Sequence, residues 1–170
     1  DLIDKRSSKN TGLKPTIRLW SAANSTGQEI YSIAMTLLEM GVSSKDYNIR
    51  LFGTDISDAA IAQASYGLYN KFEVARGLDP ARLNKYFDPH EDRYKIKDEL
   101  RAMVQFKKMN LMKPFMGMGK FDIILCRNVM IYFDQKTSEY VVNKLYQALA
   151  PGGFFAIGNA ESLMNMKQKF

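Results

Sequence analysis

Apolar positions along the chain fall into short blocks that alternate between two periods. Near-continuous runs at 17–22 ("IRLWSA") and 48–53 ("NIRLFG") read as buried strands, as do 104–109, 121–125 and 153–157. Between the first two, Ile30, Ile33, Ala34, Leu37 and Leu38 recur at helical spacing and predict a helix over 28–40, ended by Gly41. Ser57 as an N-cap predicts a second helix over 57–65 with Gly67 beyond its end, and 135–149 reads as a long helix before Pro151-Gly152-Gly153. Alternation at this spacing implies an α/β fold, a mostly parallel sheet covered by helices on both faces. The stretch 69–97 breaks the rhythm. A short helix after Pro80 and two extended pieces around Pro89-His90-Glu91-Asp92 predict a small helix plus hairpin inserted between the second and third main strands. Residues 1–15 are polar and basic and end in Pro15, as in a linker or the remnant of an N-terminal region, so the ordered domain is expected from Thr16.

Composition narrows the function classes. A chain of 170 residues, 46% hydrophobic and 25% charged, suits one globular domain. Its apolar runs are far shorter than the ~20 residues of a bilayer span, and its opening residues are too polar for a signal peptide. A cytoplasmic protein without membrane insertion is expected. One cysteine, Cys126, and one histidine, His90, exclude an internal disulfide and a Cys/His metal cluster. The net charge of +6 suits a nucleic acid, an anionic membrane or an acidic protein, or is an ordinary basic surface; charge alone does not choose.

The candidate chemistry lies at strand ends. In open parallel sheets, ligands bind outside the carboxyl ends of the strands, which makes the turn Ala22-Ala23-Asn24-Ser25-Thr26-Gly27 the first place to look. A pyrophosphate-binding turn needs Gly-x-Gly-x-x-Gly, and only Gly27 is present here. Thr26 and Glu29 also fit a capping box, which accounts for Glu29 without any ligand. Asp55, ending the second strand, is placed to accept both hydroxyls of a ribose, or else is a loop or capping residue. An acid there, paired with a glycine-poor first turn, favours a ribose-bearing ligand without a diphosphate, such as S-adenosylmethionine. Arg127 and Asn128, a polar pair after the fourth strand with Tyr132 close behind, could bond a ligand's amino-acid or base moiety; taken singly, Arg127 and Asn128 are more often turn residues. Cys126 reads as core, since no base lies near it in sequence.

Taken together, "WSAANSTGQEIYSIAM", "GTDIS", "ASYGLY", "NLM", "FDIILCRNVMIYFD" and "LAPGGFFAIGNAESL" resemble, in order and spacing, the CheR-type chemotaxis receptor (protein-glutamate) O-methyltransferases from Ile17 onward. The resemblance implies a Rossmann-like S-adenosylmethionine-dependent methyltransferase sheet at 16–170, with a small inserted antiparallel β-subdomain at about 69–103. The family's N-terminal helical domain and last strand have no counterpart in these residues. By position, Glu29, Asp55, Asn110, Leu111, Arg127 and Asn128 look like cofactor-pocket residues. Asp55 would hold the ribose, Asn110-Leu111 would flank the adenine, and Tyr132 is similar to a tyrosine beside the reacting methyl. Departures from the family pattern are Asn24 for a Cys or small residue, Gln28 for Glu, Ile30 for Pro and Asn159 for His.

The implied function is methyl transfer from S-adenosylmethionine to glutamates on the cytoplasmic helical domain of chemoreceptors, giving glutamyl methyl esters and S-adenosylhomocysteine. Glutamate, with a free pKa of about 4.3, arrives ionised, so no general base is expected and Tyr132 would position. The short "YFDPHEDRYKI" implies no tethering through a receptor's C-terminal peptide, while Arg82, Lys85, Arg93, Lys95 and Lys97 could steer toward an acidic helix. Two alternatives are a cofactor-binding regulatory module without catalysis and a nucleic-acid methyltransferase. The latter is disfavoured because Arg127-Asn128-Val129-Met130 is not the Asn/Asp-Pro-Pro-aromatic segment that grips a flipped base.

Overall fold

The computed structural model describes residues 14–42 and 46–164. The expected linker at 1–15 therefore lies outside the described residues apart from Lys14 and Pro15. Five parallel strands, β1 (Thr16–Ala22), β2 (Asn48–Asp55), β6 (Val104–Lys108), β7 (Phe121–Cys126) and β8 (Leu149–Ile157), form one sheet of order β6-β2-β1-β7-β8. The central strand β1 is buried on both faces, which is why "IRLWSA" carries no polar alternation. Its residues instead divide by parity between two cores. Leu19 packs with Ile30, Tyr31, Ala34 and Met35 of α1 (Gln28–Glu39), whereas Trp20 and Ala22 face Val141 and Leu145 of α6 (Gln135–Ala148). Trp20 is fully buried, and its indole N–H donates to Thr54 Oγ1 of β2 at 2.9 Å.

Connections from β1 through β6 run toward one edge; the chain then returns to place β7 on the other side of β1. The carboxyl ends of β1 and β7 are thus adjacent while their loops diverge, which opens a crevice at that point. β8 extends further toward its start than the sequence predicts. Leu149 already pairs with Phe121, and the chain bulges before Phe154 pairs with Ile123. The expected helix over 135–149 consequently ends at Ala148.

The insertion is a three-stranded antiparallel sheet of order β3-β5-β4, from β3 (Leu68–Asn70), β4 (Phe87–His90) and β5 (Arg93–Ile96). Helices α3 (Lys71–Ala75) and α4 (Pro80–Tyr86) join β3 to β4, and α5 (Asp98–Arg101) leads on to β6. Strand β3 was not expected; three residues are too few to show a period. Tyr69 on it is buried in the core beside α1, and its hydroxyl donates to Thr26 O at 2.7 Å, linking the insertion to the turn after β1. α2 (Asp58–Tyr66) has the expected caps: Ser57 Oγ accepts from Ala60 N–H and Gly67 takes a left-handed φ of 72°.

Candidate functional site

The turn after β1 is bent by three left-handed residues, Ala23 at φ 58°, Ser25 at 52° and Gly27 at 94°. Such a concentration of uncommon backbone is held only where its surroundings over-determine it. Asn24 N–H donates to Thr54 O at 2.8 Å, and Ser25 N–H donates to Asp55 Oδ2 at 2.8 Å. Gly27 is required on two counts: its φ, and a Cβ there would lie 3.0 Å from Ala64 Cβ.

The capping-box reading of Thr26 and Glu29 does not hold. The N-cap of α1 is Gly27, no side chain caps that helix, and Thr26 Oγ1 donates to Gln28 Oε1 at 2.7 Å. With Gly27 as N-cap, Glu29 is not at the capping position, and it turns instead toward the sheet, where two partners lie. Ser21 Oγ, buried on β1, donates to Glu29 Oε1 at 2.9 Å, and Arg127 reaches Glu29 Oε2 at 2.7 Å. This ion pair crosses directly between the loop after β7 and α1, at the mouth of the crevice. The only close capping box of this type among the described helices forms at Asn70 and Glu73 of α3.

Asp55 serves as a turn residue and leaves room for more. Its Oδ2 accepts from Ser25 N–H and its Oδ1 from Ser57 N–H at 3.0 Å, and the side chain stays partly exposed at the rim. Beyond β6, Asn110 Oδ1 accepts from Met112 N–H at 2.8 Å, closing a tight turn. Leu111 is buried with Trp20 in the core. Lys144 of α6 holds this turn from below, donating to Leu111 O at 2.6 Å and Lys113 O at 2.5 Å between the rings of Phe115 and Tyr140. Burial there keeps its ammonium below the ordinary lysine range.

Asn128 takes a left-handed φ of 59° directly after exposed Arg127. Tyr132, in a 3-10 turn over Met130–Tyr132, is 80% exposed, so nothing in the fold requires its ring. Cys126 is fully buried. Burial first, then the carboxylates of Glu161 and Glu29, push its thiol up to about 12, which removes it from consideration as a nucleophile.

Glu29, Asp55, Asn110, Arg127 and Asn128 therefore all lie at or just beyond the carboxyl ends of β1, β2, β6 and β7, where Glu29 pairs with Arg127 and Asp55 bonds the turn after β1, while Leu111 packs in the core. Two contributors were missed from sequence. Ser21 reads as an interruption of an apolar strand. Glu161, in "GNAESL", accepts backbone N–H donations from Asn128, Val129, Met130 and Gly158. Burial raises its pKa, but those four donations outweigh it and hold the carboxyl below its usual range. A carboxylate three residues beyond a strand-terminal glycine was the available signal. Among the described residues no group of three His, Cys, Asp or Glu side chains could hold a metal, and no helix is long and apolar enough to cross a membrane.

This sheet order, with an acid ending the second strand and a non-pyrophosphate first turn, is the Rossmann-like S-adenosylmethionine-dependent methyltransferase fold. The solved structure of PKMT2 from Rickettsia typhi in complex with AdoHcy shares it, with a TM-score of 0.54 at 18% identity over 92% of this chain and 24% of that one. The sequence model of the family described as CheR methyltransferase, SAM binding domain, matches residues 1–170, and the chain belongs to that family. A chemotaxis protein methyltransferase of Vibrio parahaemolyticus is 40% identical over 172 residues, 99% of this chain and 62% of that protein. The chemotaxis protein methyltransferase of Escherichia coli is 38% identical over 159 residues, 90% of this chain and 54% of that protein. The chain thus spans somewhat more than half the length of these relatives. The cofactor of the domain is S-adenosylmethionine.

Proposed function

We propose that the protein transfers a methyl group from S-adenosylmethionine to glutamate side chains on the cytoplasmic helical domain of chemoreceptors, forming glutamyl methyl esters in the cytoplasm. The observation that carries this reading is the Glu29–Arg127 pair across the crevice, beside an Asp55 with acceptor capacity to spare. Opposite charges at the mouth suit the ammonium and carboxylate of a zwitterionic amino acid. Asp55 suits the vicinal diol of a ribose, and the turn lacks the glycines a pyrophosphate demands. The cofactor, when bound, supplies a methyl carbon made electrophilic by a positive sulfur.

The chain's own residues bind and orient. Glu29 and Arg127 hold the amino-acid end by charge-assisted bonds, Asp55 the ribose, and the Asn110-Leu111 turn and Asn128 the base and its surroundings. Tyr132 stands exposed on the rim, where it orients the incoming carboxylate. A glutamate ionised at neutral pH needs no proton removed, consistent with a rim that carries no histidine. Holding nucleophile and electrophile in line can supply roughly 7 to 11 kcal/mol of the barrier.

Direct recognition of the receptor helices, without a peptide tether, is supported by the insertion. Its edge strand β4 contains Pro89, which offers no N–H to an added strand, and its hairpin turns tightly at Glu91 with φ 54°. Arg82 of this region is already paired with Glu39 and Arg93 lies 3.9 Å from Asp92, which leaves Lys95, set over the Tyr66 ring, as the better steering charge. The test is incubation with methyl-labelled S-adenosylmethionine, receptor cytoplasmic fragments and DNA. Base-labile label on receptor protein is expected; label on DNA, or tight cofactor binding with no transfer, overturns the reading.

A further inference from the structure

We propose that Glu161 is a positioning residue of the ligand site, its carboxylate setting the backbone of the 127–132 loop so that Arg127, Asn128 and Tyr132 stand at the rim. The inference rests on the reading that this rim holds the cofactor.

Glu161 lies after β8, yet its side chain reaches the loop after β7. Oε2 accepts from Asn128 N–H at 2.9 Å and Gly158 N–H at 2.6 Å; Oε1 accepts from Val129 N–H at 3.0 Å and Met130 N–H at 2.8 Å. Three successive backbone donors pointing at one spot form a concave anion site, and here the protein fills it with its own carboxylate. The space is shaped for that group. A Cβ on Gly158 would stand 2.8 Å from Glu161 Oε2, 2.8 Å from Asn128 Oδ1 and 3.0 Å from Asn128 N, so a side chain there would displace the carboxylate from this position. Glu161 N–H donates to Gly158 O at 3.0 Å, so the residue also closes its own turn.

The loop held here is irregular: Asn128 sits at φ 59°, left-handed backbone that Asn tolerates better than other side chains do. From the anchored residues the 3-10 turn continues, with Tyr132 N–H donating to Val129 O and Phe133 N–H to Met130 O. Arg127 is therefore fixed twice: its guanidinium by Glu29, and the backbone just beyond it by Glu161. Without the carboxylate, three donors would have to find water, and the loop would pay to order itself each time ligand bound.

The test is calorimetric titration of the protein with S-adenosylhomocysteine. Glu161→Ala is expected to weaken affinity by about tenfold to a hundredfold, the scale seen when outer partners that orient ligating groups are lost. Glu161 is only partly buried, so formate should enter the vacated anion site and restore much of that affinity, whereas chloride at equal ionic strength should not. Glu161→Gln should behave like Ala, since its amide NH2 would face two N–H donors. Affinity equal to wild type in Glu161→Ala overturns the proposal, as does a loss that formate leaves untouched while the amides of Asn128, Val129 and Met130 keep wild-type exchange rates. If Glu161→Ala does not fold, Glu161→Asp replaces it: weaker affinity with faster exchange at those amides is expected, and no change in either is the contrary result. A wild-type protein that does not bind S-adenosylhomocysteine overturns the reading of the site, and this inference with it; wild-type binding with unaltered variants overturns the inference alone.

Discussion

Replacing Asp55 with alanine separates its two duties. A carboxylate offers about four acceptor directions, two per oxygen. One on each oxygen is occupied, by Ser25 N–H at 2.8 Å and Ser57 N–H at 3.0 Å. One on each oxygen remains, which is the number a vicinal diol can use. A hydrogen bond to a charged group contributes about 1.5–3 kcal/mol, but two on one partly exposed carboxylate do not add in full. The net loss of S-adenosylhomocysteine affinity in Asp55→Ala should therefore be about 2–3 kcal/mol, or roughly thirty- to 150-fold in Kd. The variant also strips acceptors from two backbone N–H groups. Ser25 and Ser57 are both exposed, so water replaces the lost partner and folding stability should fall by only about 0.5–1.5 kcal/mol. Calorimetric titration and urea denaturation, run on the same preparations, read the two numbers independently. Lower stability with unchanged ligand affinity would refute the diol argument and leave Asp55 as a turn residue only.

Three further outcomes follow from the same geometry. A double-mutant cycle of Glu29→Gln and Arg127→Met should show a coupling of no more than about 1 kcal/mol in urea denaturation, because the pair is 24% and 41% exposed, yet each single change should weaken ligand binding clearly; a large stability coupling with no binding effect would make the pair structural. Tyr69→Phe should cost about 1–2 kcal/mol of stability by orphaning Thr26 O, and should loosen ligand binding through the turn after β1; equal thermal midpoints for the two proteins would contradict this. Burial lifts the Cys126 thiol to about 12, so iodoacetamide at mildly alkaline pH should leave the folded chain unlabelled and react only after urea is added. The sign follows: the unfolded thiol ionises from about 8.5, so its contribution to stability is complete below that pH and is lost as pH rises toward about 12.

Long elements were readable along the chain because burial on one or both faces imposes a period that several consecutive residues must obey. "IRLWSA" and the helix carrying Ile30, Ala34 and Met35 could hardly be anything else, and Ser57 and Gly67 announce their caps through local backbone chemistry alone. From these, and from the order of the motifs, came the α/β class and the strand ends after which the candidate residues sit. Short pieces escaped. β3 has only three residues, and the start of β8 is a matter of where Leu149 meets Phe121, a partner 28 positions away.

The individual roles of side chains belong to the tertiary structure, because each depends on which distant groups compete for it. Thr26 and Glu29 have the spacing of a capping box, but the helix starts one residue later with Gly27 as its N-cap, and the Glu29 carboxylate goes instead to Ser21 and Arg127, 8 and 98 positions away. Asn70 and Glu73 have the same spacing and form the box, because the one distant competitor, Gln63, takes only Glu73 Oε1 and leaves Oε2 to accept from Asn70 N–H. Glu161 is one acidic residue among many in the sequence; only the parallel pairing of β7 with β8 brings it to three N–H groups that local backbone geometry leaves without partners. Periodicity is a property of neighbours along the chain, whereas the competition for a charged group is settled among neighbours in space.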